Sequence, residues 1–99
     1  MDTLQTIRER RSVRRYRPEP IPAEDLAQII EAGRLAPSAA NRQPWRFVLV
    51  TETEQKAALA QACRGQEWMA EAACILVGVG LPDVSAKWYP VDIAIAMQN

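Results

Sequence analysis

The sequence contains no histidine. That absence excludes the serine–histidine–aspartate and cysteine–histidine nucleophile systems and the usual imidazole zinc sites. Enzymatic chemistry in this chain must come from a carboxylate, an amine, a thiol or a borrowed cofactor. Cysteine is scarce: Cys63 and Cys74 are the only two. Their spacing is not that of a redox C-x-x-C motif, and two ligands do not make a zinc cage. Set among alanines and aliphatics, both read as small buried hydrophobes in a reducing compartment. Long hydrophobic runs are absent. The longest apolar stretch, Ala72 to Leu81, is far short of the roughly 20 residues of a membrane span. At the start, Leu4 and Ile7 are followed by arginines rather than by the apolar core of a signal peptide. The expectation is a soluble, cytoplasmic protein with no membrane partner.

Excess charge of either sign is also lacking, with twelve basic residues against twelve acidic. Bulk charge therefore points to no nucleic-acid or membrane surface. The 99 residues, 48% hydrophobic and 24% charged, exclude a disordered chain, a collagen and a disulfide-dense scaffold. They predict one small domain over 1–99. Locally the charge is uneven. Residues 1–17 hold six of the twelve basic residues (Arg8, Arg10, Arg11, Arg14, Arg15, Arg17) against Asp2 and Glu9.

Several elements are legible. Asp2 or Thr3 can cap a short helix carrying Leu4, Ile7 and Arg11 on one face. Pro18, Pro20 and Pro22 make 14–22 extended. Pro22 suits the first position of a second helix, with Glu24 and Asp25 in its first turn. Leu26, Ile29, Ile30 and Gly33 form an apolar stripe on it, and Pro37 ends it. Residues 37–44 form a loop before a buried strand, W-R-F-V-L-V at 45–50. Thr51 and Glu54 have capping-box spacing for a helix from 54 to about 64, which Gly65 terminates. A shorter helix covers 67–73, a second buried strand 74–79 and a further helix 90–99. That last helix carries no stop signal, and two strands are few for a sheet. The sequence therefore reads as the N-terminal part of a larger domain.

Two constellations carry candidate chemistry. Arg10-Arg11-Ser12-Val13-Arg14 follows the first helix. Guanidinium groups grip phosphate through paired hydrogen bonds, and a serine hydroxyl adds a donor. The alternatives are a solvated charged turn or a nucleic-acid arm; no aromatic series interleaves the arginines, which speaks against the latter. Pro37-Ser38-Ala39-Ala40-Asn41-Arg42-Gln43-Pro44-Trp45 is rich in neutral hydrogen-bonding groups suited to a heterocycle edge; a self-satisfied turn is the alternative. Gly78-Val79-Gly80 is not a dinucleotide fingerprint, because the third glycine of G-x-G-x-x-G falls at Asp83. Trp68, Trp88 and Tyr89 read as packing residues, and Glu67 with Glu71 as a solvated pair.

Taken together, R-R-S-V-R-R-Y at 10–16, P-E-P-I-P at 18–22 and P-S-A-A-N-R-Q-P-W at 37–45 resemble the flavin-dependent nitroreductase family in order and spacing. R-G-Q-E-W-M-A-E-A and the final D-I-A-I-A-M-Q-N agree. The resemblance implies an α+β fold, a mixed sheet flanked by helices, and a homodimer with FMN at the subunit interface. By position it assigns Arg10, Ser12 and Arg14 to FMN from one subunit. Arg10 would meet the phosphate, and Arg14 the pyrimidine side, where positive charge stabilises the reduced flavin. Arg11 would contribute mainly backbone. Pro37, Ser38, Ala39 and Asn41 would contact flavin from the other subunit, with Gln43 in support and Gln66 near the ring edge. The flavin would carry the redox chemistry, which suits a chain without histidine. NAD(P)H would donate hydride in a ping-pong cycle, and a small-molecule acceptor, a nitroaromatic or quinone, would take the electrons. No metal and no nucleic acid are expected.

Two other readings stand beside this one. A catalytically inactive, truncated member could serve as an interaction module through its exposed sheet edge. A specialised member, such as a flavin-dependent reductive dehalogenase or a flavin-fragmenting enzyme, often carries an insertion before the second strand, and the short 61–74 connection argues against it.

Overall fold

A computed structural model describes residues 1–99. Helix α1 (Thr3–Glu9) begins at Asp2, whose carboxylate accepts the backbone N–H of Gln5 at 2.8 Å. None of its residues is buried. So short a helix is marginal in water by itself, and local bonds from Gln5 to Glu9 and from the Thr6 hydroxyl to the Asp2 carbonyl support it. An extended segment leads to α2 (Ala23–Arg34), where Pro22 sits at the N-cap, one residue earlier than expected. Leu35 caps its far end, so α2 stops before Pro37 intervenes.

Strand β1 (Trp45–Val50) pairs antiparallel with β2 (Ile75–Gly80), Trp45 opposite Gly80 and Val50 opposite Ile75. Between them lie α3 (Thr53–Ala62) and a 3₁₀ segment at Glu67–Glu71. The latter replaces the α-helix expected over 67–73. Lys56 ties the two together, its Nζ donating to the Ala72 carbonyl at 2.8 Å. The expected capping box does not form: Glu52, not Thr51, stands at the N-cap of α3, without a side-chain bond. At the other end Arg64 and Gly65 both take left-handed φ, 66° and 68°. The last element is α4 (Tyr89–Gln98), with Pro90 in its first turn.

The architecture is α+β, two strands flanked by helices. This pair has a single orientation, so the mixed sheet implied by the resemblance is not something two antiparallel strands can express. Alternation places Trp45, Phe47 and Leu49 on the same face as Gly80, Gly78 and Leu76. Helices α2 and α4 cover that face. The core is small, built on Ala36, Trp45 and Ala96 with Phe47 and Ile93 against them, and Pro44 is fully buried.

The glycines of the V-G-V-G run now have a reason. A Cβ on Gly78 would stand 2.7 Å from Met97 Sδ, and one on Gly80 2.7 Å from Tyr89 Cδ2. Their bare backbone lets α4 lie directly on β2. Gly33 plays the same part under the Phe47 ring, at 2.9 Å.

The strands are less buried than the sequence suggests. Val48 is 47% exposed and Val79 37%. Cys63 and Cys74 are free thiols, half-buried rather than buried. The accessible surface, 7679 Å², exceeds the roughly 5,700 Å² expected of a folded monomer of this mass. Large apolar side chains stand exposed, among them Val91, Ile95 and Met97 on α4. The one ion pair, Arg34 to Glu31, lies at the surface. The Arg34 hydrogen bond holds the Glu31 carboxyl below its ordinary value. Its small contribution is therefore present at neutral pH and lost on acidification through the Glu31 titration. No helix is long and apolar enough to cross a membrane.

The close approach of α4 to β2 predicts that Gly80→Ala destabilises the fold by about 1–3 kcal/mol, an overpacking cost. Urea unfolding monitored by tryptophan fluorescence measures it. An unchanged midpoint would mean that Tyr89 swings aside freely.

Candidate functional site

The chain builds its site candidates from two segments. The first is the arm that leaves α1. Arg11 folds back, its guanidinium donating to the carbonyls of Arg8, Glu9 and Arg10 at 3.0–3.3 Å. It thereby satisfies orphan acceptors at the helix end. Arg10, Ser12 and Arg14 are exposed, and their side chains make no hydrogen bond or ion pair. Further on, the Tyr16 hydroxyl donates to the Val13 carbonyl at 2.6 Å, and its ring stacks near Trp68 with centroids 5.9 Å apart. This contact fastens the arm beside the 3₁₀ segment. A cavity of about 800 Å³ lies beneath, lined by Tyr16, Ile21, Trp68, Met69 and Ile75 among others.

The second segment is the loop 37–44, between α2 and β1. It holds an unusual backbone. Ala40, Asn41 and Gln43 have φ of 53°, 53° and 52°, a left-handed region that disfavours residues with a Cβ. Local bonds enforce the shape. The Ser38 carbonyl accepts from Asn41 N–H at 3.0 Å, and the Ser38 hydroxyl oxygen accepts from Gln43 N–H at 3.0 Å. Buried Pro44 and Trp45 anchor one end and Ala36 the other. A long-range bond completes it: Ala39 N–H donates to Asp92 Oδ2 at 3.2 Å. Asp92 is 3% exposed, in the first turn of α4. The side chains of Asn41 and Gln43 make no hydrogen bond and face outward, exposed.

Non-glycine residues held in left-handed backbone cluster at ligand sites, where the surroundings over-determine them. Unpaired guanidiniums on the arm can take a phosphate; free amides on the loop can read a heterocycle edge. The residues present thus fit a phosphate-bearing heterocycle such as FMN. Sequence reasoning missed the buried Asp92. The available signal was a single carboxylate in the otherwise apolar run V-D-I-A-I-A-M.

No hydrogen bond or ion pair joins 10–14 to 37–43. The loop adjoins the Trp45–Gly80 end of the strand pair, whereas Tyr16 and Trp68 share their cavity with Ile75, at the opposite end. Six-residue strands separate these ends by about 17 Å. Gln66 belongs to neither group: its Nε2 donates to the Cys63 carbonyl at 2.7 Å, closing the end of α3.

An α+β chain with an arginine arm and a rigid polar loop agrees with the comparisons to known proteins. Residues 7–81 match the Nitroreductase family, and the chain belongs to that family. The match includes both segments. An NADH dehydrogenase of Thermus thermophilus is 46% identical over 77 residues, 78% of this chain and 38% of that protein. An FMN reductase [NAD(P)H] of Bacillus subtilis is 34% identical over 76 residues, 77% of this chain and 30% of that one. An FMN-dependent nitroreductase structure from Clostridium difficile superposes with TM-score 0.88 at 26% identity, covering 97% of this chain and 56% of that one. An iodotyrosine deiodinase of Thermotoga neapolitana is 37% identical over 60 residues, 61% of this chain and 32% of that protein. The matched regions thus span from 30% to 56% of the length of these proteins.

The loop's backbone yields a prediction. Ala40→Gly removes the Cβ that opposes left-handed φ, and this outweighs the entropy glycine adds to the unfolded chain. The expected gain is up to about 1 kcal/mol, read as a raised melting temperature. A lowered one would show that the Ala40 methyl has a packing role.

Proposed function

We propose that this chain carries the N-terminal portion of an FMN-dependent, NAD(P)H-using oxidoreductase of nitroreductase type that works as a homodimer. The observation that carries the reading is the pairing of two segments within the family match: an arginine arm without ionic partners, and a strained polar loop with unused amides. Arg10 and Ser12 bind the phosphate as guanidinium and hydroxyl donors. Arg14 sets a fixed positive charge beside the pyrimidine side of the ring, where negative charge is thereby favoured. Pro37, Ser38, Ala39 and Asn41 contact the ring from the loop, and Gln43 supports them through its bond to Ser38. Gln66, tied to the α3 terminus through one Nε2–H, keeps its side-chain oxygen and its second amide N–H for a ligand. When bound, FMN supplies the two-electron chemistry that links NAD(P)H to a nitroaromatic or quinone-like acceptor.

The same geometry supports the dimer. The arm's anchor at Tyr16 lies by the Ile75 end of the strand pair and the loop by the Trp45 end, so one FMN meets both segments most simply when they come from different copies. The surplus of about 2,000 Å² per chain, about 4,000 Å² for a pair, falls within the total that obligate homodimers bury. A partner copy or further elements of the same domain would cover it. The deiodinase relative favours a second reading, a reductive dehalogenase. The α3–β2 connection here holds one 3₁₀ segment and no inserted lid, and this favours the first.

The test is FMN titration by fluorescence quenching, with sedimentation of the same sample. The wild type is expected to bind FMN as a dimer. Arg10→Ala and Ser12→Ala are each expected to weaken binding by about 1.5–3 kcal/mol, the loss of a charge-assisted contact. Flavin fluorescence unaltered by the wild-type protein would sink the proposal; unchanged affinity in both variants would move the phosphate elsewhere.

A further inference from the structure

We infer that Asp92 is a positioning residue: from α4 it fixes the loop 37–44 in the shape that receives the flavin. This rests on the flavin reading above and concerns a residue that touches no flavin in it. A carboxylate 3% exposed is an expensive occupant of a core. Asp92 sits beside Ala96 on α4 in a helix otherwise built from Val, Ile, Ala and Met, where an aliphatic side chain would pack at lower cost. Two features offset its burial. The first turn of α4 presents a positive dipole end to it, and Ala39 N–H donates to its Oδ2.

That bond falls at the critical point of the loop. Ala39 directly precedes Ala40 and Asn41, the first two of the three left-handed residues. The Ser38 bonds to Asn41 and Gln43 are local and set the turn's internal shape. Trp45 N–H on the Gln43 carbonyl and Leu81 N–H on the Pro44 carbonyl fasten the loop's far end to the strand pair, but only the Asp92 bond ties the left-handed turn to α4, across 53 residues of sequence. Asn41 and the Ser38 hydroxyl are thus oriented relative to α4 and the strand pair rather than merely relative to each other. A leucine at position 92 would keep the packing and release the turn.

The experiment compares wild type, Asp92→Leu, which has no acceptor, and Asp92→Asn, which keeps a carbonyl acceptor. Ala39→Pro removes the donor instead and leaves Asp92 intact. It stands in if Asp92→Leu does not fold. Amide hydrogen exchange is read at Ala39 in flavin-free protein, where proline leaves only the neighbouring amides to follow, together with the FMN dissociation constant and melting temperature. Asp92→Leu is expected to speed exchange at Ala39 and weaken FMN binding about tenfold or more, as for one lost charge-assisted bond. Its melting temperature should hold. Asp92→Asn is expected to restore most of both. Wild-type FMN affinity in Asp92→Leu or Ala39→Pro overturns the inference and leaves the flavin reading standing. Unchanged exchange at Ala39 overturns it as well, and so does an Asp92→Asn variant as impaired as Asp92→Leu. A wild type that does not bind FMN fails at the earlier step and takes both with it.

Discussion

The contact of α4 with the strand pair is the constraint on which the rest of this structure depends. It exists because β2 offers bare backbone at Gly78 and Gly80, so that Met97, Ile93 and Tyr89 come within van der Waals reach of the sheet. With α4 seated there, Ala96 closes the core over Trp45 and Ala36. Its first turn then carries a buried carboxylate to the Ala39 amide. Moving the helix out by the thickness of a methyl group would loosen the core and part that bond together. A packing requirement in one strand is thereby linked to the backbone shape of a loop distant in sequence.

The two candidate segments differ in what holds them. The loop is over-determined, with buried residues at both ends, two local bonds through Ser38 and one through Asp92. The arm is held by Arg11 on the α1 terminus and by Tyr16 on Trp68, with Arg10, Ser12 and Arg14 projecting into solvent. A rigid loop suits recognition of a planar ring, where orientation decides the contacts. An exposed cationic arm suits a phosphate, which tolerates many approach directions and rewards charge.

Much of the fold was legible because its signals are local. Asp2 begins α1, the stripe Leu26–Ile29–Ile30–Gly33 marks α2, and W-R-F-V-L-V is β1. Where local rules misled, a competing interaction explains it. Residues 67–71 wind as a 3₁₀ segment, with the carbonyl of Ala72 just beyond them taken by Lys56. Thr51 does not cap α3, since the chain leaving β1 places Glu52 there. The cysteines and the outer strand faces stay half open because 99 residues here bury only nine of their number.

The sequence by itself determined the order of elements, the lack of imidazole chemistry and the two motifs that carry the family resemblance. Each is a property of neighbouring residues, of composition or of spacing along the chain. Only the tertiary structure decided that V-G-V-G is a seat for a helix, that the Tyr16 anchor and the loop lie toward opposite ends of the strand pair, and that Asp92 reaches Ala39. Those facts depend on which surfaces meet. A hydrogen bond between residues 53 apart has no local pattern to announce it until packing brings donor and acceptor together.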